Sequence, residues 1–420
     1  MIPFDPLPLR EEFPAFVMNH RGNRTVFMDA PGGTQVPVRV IEAIASYYRE
    51  RNANTGGEFA ASKKTDETIG TARRLVADLL GAGDPETIVF GQNMTSLTFH
   101  LARSLGEEIQ PGDEIVVTEL DHDANIAPWK DLEERGAVIR FARLREQDGT
   151  LDEGHFESLL NRRTKLAAFT CASNALGSIT DAARLTKSAH RAGAMVFLDA
   201  VQYVPHVMVD VSKLDCDFLV CSAYKFFGPH QGMLYGKREH LERLRPHKVA
   251  PAKNQVPYRW ETGTQSHEAM AGTSAAIEYL ADIGKNYGIA SSAAETGASE
   301  TRMHLIAAMD AIGRYEQYLS KYFLQRIKEL PQIHLYGLTD ENTAGMRTPT
   351  FAFTIEGISP RSIAAHLAER GIYCWSGNYY ALRLMQRLGL EESGGAVRIG
   401  MTHLNTIEEI DYLMETLAHI

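Results

Sequence analysis

The stretch Met195-Val-Phe-Leu-Asp199-Ala-Val-Gln202, followed by Phe218-Leu-Val-Cys-Ser222-Ala-Tyr-Lys225, decides how this chain reads. Two apolar runs each stop at polar chemistry, the first at an acid and the second at Ser-x-x-Lys. Strands covered on both faces of a parallel sheet are near-continuous apolar runs, and their carboxyl ends share one crevice. The pattern therefore aims the Asp199 carboxylate and the Lys225 amine at one place. Taken singly, Asp199 suits a strand-ending turn and Lys225 a solvated loop. The segment that follows, Phe226-Phe-Gly228-Pro229-His-Gln-Gly232, suits a solvated face poorly.

Working outward, apolar runs at 87–90, 114–117, 138–141, 166–169, 196–198, 218–220 and 233–235 alternate with helical patterns such as 38–48 and 182–192. That alternation predicts an α/β fold, a doubly wound and mostly parallel sheet covered by helices on both faces, forming a large domain over 24–285. Past Gly284 the character changes to long helical segments, 291–312 and 316–330, and then to strands at 350–354, 373–375 and 396–399. A smaller α+β domain over 286–420 is expected there. No internal repeat or low-complexity linker marks the seam.

The chain has 420 residues, 44% hydrophobic and 23% charged, with a formal net charge of -10. An acidic balance gives no electrostatic reason to expect nucleic acid or an anionic membrane as a partner. No apolar run approaches the roughly 18 residues of a spanning helix, and the opening Met1-Ile-Pro-Phe-Asp-Pro-Leu-Pro lacks a signal peptide's basic and apolar regions. A cytoplasmic protein is expected. The four cysteines, Cys171, Cys216, Cys221 and Cys374, show no C-x-x-C or Cys/His ligand spacing, so neither a metal site nor a disulfide framework is predicted. No G-x-G-x-x-G follows the first strand, which argues against a dinucleotide-binding oxidoreductase.

A lysine amine forms a Schiff base with the aldehyde of pyridoxal phosphate, and an aspartate keeps the pyridine nitrogen protonated so that the ring accepts electrons. Lys225 and Asp199 fit those two tasks. A strand running into Asn93-Met94-Thr95-Ser96 and then a helix over 97–104 offers backbone N–H groups and the Thr95 hydroxyl to a phosphate, although the same residues also fit an ordinary cap. Further motifs follow in order: Phe27-Met-Asp29-Ala-Pro-Gly-Gly33, Phe90-Gly-Gln-Asn-Met-Thr95-Ser, Glu119-Leu-Asp-His122-Asp-Ala-Asn-Ile126, Ser173-Asn174-Ala-Leu-Gly177, Glu261-Thr-Gly263-Thr264 and Val397-Arg398-Ile-Gly400. In that order they resemble the class V aminotransferases, a branch of the fold type I pyridoxal phosphate enzymes, and within it the cysteine desulfurase-like proteins.

The resemblance implies a cofactor, pyridoxal 5'-phosphate, and a set of roles. It places His122 stacked over the cofactor ring, where an imidazole also moves protons. It implies that Asn174 and Gln202 hydrogen-bond around the ring, with Gln202 at the phenolic oxygen. Met94 stands where the family usually has a threonine, leaving a backbone amide and no hydroxyl, and Ser222 resembles a phosphate ligand. Tyr224 occupies the usual place of a histidine. Thr264 resembles a residue that reaches the phosphate of a neighbouring subunit, which implies a homodimer with shared sites. Arg398 resembles the clamp for an amino-acid substrate's α-carboxylate, gripped through two parallel hydrogen bonds. The N-terminal segment, 1–23, packs with the smaller domain in this family.

The resemblance breaks at the nucleophile. Cysteine desulfurases carry a reactive cysteine on a mobile loop shortly before that arginine. Here the chain reads Gly371-Ile-Tyr-Cys374-Trp-Ser-Gly377-Asn-Tyr-Tyr380-Ala381-Leu-Arg-Leu-Met385, which puts Tyr380 at the cysteine's place and Cys374 six residues early in a strand-like run. A phenol cannot accept sulfur as a persulfide. C–S cleavage by β-elimination is therefore the leading expectation, with desulfuration through a non-standard thiol, or an aminotransferase or epimerase reaction on another amino acid, as alternatives. A non-catalytic protein that has kept the fold is disfavoured by the joint presence of Lys225, Asp199 and His122.

Overall fold

The computed structural model describes residues 4–17, 19–20, 23–288 and 297–420. Seven strands form its main sheet, in the order Ile88–Gly91, Gly232–Gly236, Phe218–Ser222, Met195–Asp199, Thr164–Thr170, Glu114–Thr118 and Val138–Ala142. Six run parallel to one another, and Gly232–Gly236 runs against both of its neighbours. Alternate side chains go to opposite faces. Val89, Ile115, Val117, Leu166, Ala168, Phe197, Phe218 and Val220 pack with Leu97, Leu101 and Leu105 of the helix Met94–Gly106 and with Trp129. Phe90, Val116, Ala167, Phe169, Val196, Leu198, Leu219 and Cys221 face the other way, onto the helices Ala60–Leu80, Ala182–Ala192 and His267–Tyr287. The sheet is covered on both faces, as the continuous apolar runs require.

Because the strands are parallel, their carboxyl ends collect along one edge. There Thr170 pairs with Asp199, and Asp199 with Val220, so the acid sits between two central strands. Local chemistry fixes the helices that begin at this edge. Asn93 caps Met94–Gly106 by accepting from the Ser96 amide at 2.9 Å, and the Ser96 hydroxyl sits 3.3 Å from the Asn93 amide. Gly232 is needed beside that helix start, since a Cβ there would lie 2.4 Å from the Asn93 carbonyl carbon.

A second sheet is antiparallel, in the order Ile333–Tyr336, Thr350–Ile355, Ala396–Gly400 and Trp375–Gly377. Two expectations for this half of the chain are corrected. The helical segments expected at 291–312 and 316–330 are one helix, Glu300–Ile327, with 291–296 outside the described residues. Gly313 is carried through because Leu305, Ile312, Leu319 and Phe323 keep an unbroken apolar stripe against the core, outweighing a helical glycine's cost of about 1 kcal/mol. The strand expected at 373–375 is broken at Cys374. Ile372–Tyr373 pairs in parallel with Val26–Phe27, and Trp375–Gly377 joins the four-stranded sheet.

The N-terminal segment touches both halves. Arg10 is buried, with Nη2 2.7 Å from Glu409, and Phe13 packs edge-on against Phe227 and Tyr279. Among the described residues no helix is long and apolar enough to cross a membrane.

Candidate active site

A cavity of about 500 Å³ opens at the carboxyl edge of the main sheet, between it and the segment 375–380. Met94, Thr95, His122, Asn174, Asp199, Gln202, Ser222, Tyr224, Lys225 and Arg398 all line it. Thr264 does not. It lines a neighbouring depression that shares Asn93 and Thr95 with the cavity wall.

The floor is buried and polar. Asp199 is 4% exposed and accepts from the Val201 amide at 2.9 Å, with no ion-pair partner among the described residues. Burial pushes its carboxyl up to about 6, against the pull of that amide and of Lys225. Lys225 sits on a short turn after Ser222, and its amine donates to the Pro31 carbonyl. Burial, then repulsion from Arg398, pushes this amine down to about 7, with Asp199 and Asp29 opposing the shift. An amine at that value is part neutral at neutral pH and able to act as a base.

His122 follows the strand Glu114–Thr118, and its Nδ1 accepts from the Ala124 amide at 3.0 Å. Its remaining proton therefore belongs on Nε2. Burial, then Lys225 and Arg398, push the imidazole down to about 4, so the ring is neutral. Arg398 lies on an inner strand of the second sheet, not at an edge. It donates to the Asn174 carbonyl at 2.9 Å and stacks over the Tyr379 ring at 4.2 Å. Asn174 in turn donates to the Tyr379 carbonyl at 2.9 Å.

Where the anion site was expected, the Met94 amide donates to the Ser222 hydroxyl at 3.2 Å, joining helix start to strand end. The cap belongs to Asn93, leaving Thr95 facing the cavity with, among the described residues, only a 3.9 Å contact from its hydroxyl to the Met94 sulfur. Tyr224 stacks on His230 at 4.8 Å and lies under the Lys225 amine at 4.7 Å. The Gln202 amide nitrogen lies 3.4 Å from the Thr350 hydroxyl and 3.5 Å from His206.

Sequence reasoning passed over several wall residues. Pro31 and Gly32 lie in a motif quoted whole, without a role for either. Trp375 and Tyr379 flank the tyrosine that was matched to the missing cysteine. Signals existed in the Pro-Gly-Gly turn and the adjacent Tyr-Tyr pair, but only the fold brings them to Lys225 and Arg398. Tyr379 and Tyr380 both have φ of 57°, left-handed backbone that is uncommon for aromatic residues. The Tyr380 carbonyl accepts from the Asp123 amide at 2.7 Å, and its ring stacks against His122 at 5.4 Å. Cys374 is half-buried and absent from the cavity wall, with its thiol pushed up to about 12 by burial.

Comparison with known proteins agrees with this geometry. The family described as aminotransferase class-V matches residues 26–307 and 293–413. A probable cysteine desulfurase of Synechocystis is 31% identical, over 97% of this chain and 94% of that relative. A cysteine desulfurase of Synechococcus elongatus is 33% identical over 99% of this chain, which spans only 64% of that protein's length. Among solved structures, the apo cysteine desulfurase of Thermococcus onnurineus has a TM-score of 0.86 at 27% identity, covering 99% of this chain and 97% of that one.

Proposed function

This chain belongs to the class-V aminotransferase family of pyridoxal phosphate-dependent enzymes, and we propose that it cleaves the C–S bond of a sulfur-containing amino acid by elimination from Cβ, without a cysteine nucleophile. The cavity fits the cofactor on its own chemistry. A buried carboxylate with no ion-pair partner among the described residues, Asp199, is the group a protonated pyridine nitrogen pairs with. The side-chain oxygen of Asn174 and Nε of Arg398 are buried with no hydrogen-bond partner among the described residues, which leaves acceptor and donor capacity for a polar guest.

In this reading Lys225 tethers the cofactor, Asp199 holds the ring nitrogen, His122 covers the ring and Gln202 donates to the phenolic oxygen. Asn174 completes the ring's polar surroundings. Met94, Thr95, Ser222 and Tyr224 receive the phosphate. The cofactor supplies a sink for the electron pair left at Cα. Arg398, held flat on Tyr379, binds the α-carboxylate and turns the Cα–H bond toward Lys225, whose amine takes the proton. As the C–S electrons depart with sulfur, Cα and Cβ form a double bond, the Nε2–H of His122 donates a hydrogen bond to the leaving thiolate, and the proton that sulfur takes up comes from the Lys225 ammonium. The released enamine takes up water and yields a 2-oxo acid and ammonia.

The same reading takes 24–285 as the cofactor-binding domain and 1–23 with 286–420 as the smaller one. It also takes the enzyme as a cytoplasmic homodimer. Thr264, off the cavity in its own subunit, then reaches the cofactor phosphate of the other.

The observation that carries elimination over desulfuration is the cavity wall itself, which among the described residues offers Tyr380 and no thiol. Supplying L-cysteine, cystine and cysteine sulfinate separately tests it. Pyruvate as the carbon product supports elimination. Alanine that disappears in Cys374→Ser overturns it in favour of desulfuration.

A further inference from the structure

Two of the largest exposed apolar side chains of the described protein sit together on the cavity rim. Trp375 is 53% exposed and Tyr380 is 71% exposed, and both line the cavity. The other two tryptophans, Trp129 and Trp260, are buried. Neither the Trp375 indole N–H nor the Tyr380 hydroxyl makes a hydrogen bond among the described residues, although other aromatic tips near them are engaged. The Tyr379 hydroxyl, for instance, donates to the Ala396 carbonyl.

The placement is built. Gly32 makes room for the indole, because a Cβ there would lie 2.3 Å from its Nε1. Tyr380 is held in left-handed backbone by two hydrogen bonds, from its amide to the Asn378 side chain at 3.1 Å and from the Asp123 amide to its carbonyl. Its ring then lies on His122, the group that Proposed function assigns to the departing sulfur. Large aromatic surface left open around a reactive cavity marks a place where a ligand's apolar surface is covered. A bare thiol offers such surface almost nothing to cover.

We propose that Trp375 and Tyr380 set substrate specificity, binding a flat, aromatic group carried on the far side of the scissile sulfur. The substrate class is then an S-aryl cysteine or similar thioether, not free cysteine. This rests on the C–S cleavage reading. The chemistry balances without a further reactant beyond water: the Cα proton goes to Lys225, the aryl sulfur leaves as a thiolate that accepts a hydrogen bond from the Nε2–H of His122 and takes its proton from the Lys225 ammonium or water, and the enamine is hydrolysed.

The test compares S-phenyl-L-cysteine with S-methyl-L-cysteine on the holoenzyme. The ratio of their kcat/KM values should favour the phenyl compound by about fourfold or more, since two aromatic contacts each contribute roughly two- to twelvefold. In Trp375→Ala and Tyr380→Ala that ratio should fall about two- to twelvefold each. Trp375→Phe, which keeps a ring, should fall less and guards against loss of folding as the cause. Turnover of both compounds with equal kcat/KM overturns the rim's role while leaving C–S cleavage standing. If no compound yields a 2-oxo acid, C–S cleavage fails. Calorimetric binding of S-phenyl-L-cysteine then decides the rim separately: affinity weakened by Trp375→Ala supports it, and unchanged affinity overturns it.

Discussion

The floor of the cavity and its rim are built by opposite means. The floor, Asp199 and Lys225, hangs on central strands of a sheet buried on both faces, and its unusual electrostatics come chiefly from burial, with Arg398 adding to the shift at Lys225. The rim, 375–380, is exposed aromatic surface held by left-handed backbone and a handful of loop hydrogen bonds. The difference suggests a division of labour. Proton abstraction needs groups that solvent cannot relax and neighbours cannot move, whereas choice of substrate is made where side chains can be exchanged without disturbing the core.

If that division holds, damage should be graded by location. The largest effect is expected at Lys225. Lys225→Ala should lower turnover by at least about a thousandfold, within the range attributed to a positioned acid–base group, and should abolish the borohydride-sensitive visible band. Turnover within tenfold of wild type would move the chemistry off the floor.

Asp199 sharpens the contrast through stability. In the cofactor-free protein its carboxyl keeps a proton up to about pH 6, whereas the unfolded chain loses it near 3.8. The cost of ionising it in the folded state is therefore absent below about pH 4, grows between 4 and 6, and is complete above 6. Asp199→Asn keeps an acceptor for the Val201 amide and removes the charge. The variant should resist urea better than wild type at pH 7, by at most about 3 kcal/mol, and equally at pH 4. A pH-independent difference would show that burial does not govern this carboxylate.

The smallest effect belongs to the rim. Tyr380→Gly relieves left-handed strain of about 1–2 kcal/mol but makes the unfolded chain more flexible, which offsets roughly 0.5–1 kcal/mol. Thermal unfolding should shift upward by the equivalent of at most about 1.5 kcal/mol. A clear loss of stability would make Tyr380 a structural residue.

The floor was legible in the sequence for the reason it is rigid. A strand buried on both faces must be written as an apolar run, so the polar residue ending it stands out, as Asp199 and Ser222 do. The rim was not, because its shape depends on partners far away in the chain. Tyr373 pairs with Phe27, and this remote pairing splits what looked like one strand and puts Trp375 into another sheet. The long helix Glu300–Ile327 was missed in the same way, since only the core shows why Gly313 does not interrupt it. Thr264 was singled out through resemblance alone, and nothing local in Gly263-Thr264 says which cavity it serves.

The break at Cys374 also bears on how the protein meets oxidants. Cys374 stands between strands of two sheets and its thiol is pushed up to about 12 by burial, while Cys171, Cys216 and Cys221 are buried in the core with their thiols also pushed up. Oxidation by peroxide begins at the thiolate, and these four cysteines hold almost none at neutral pH. If C–S cleavage proceeds here without a cysteine nucleophile, as proposed, peroxide should leave the enzyme's turnover largely intact.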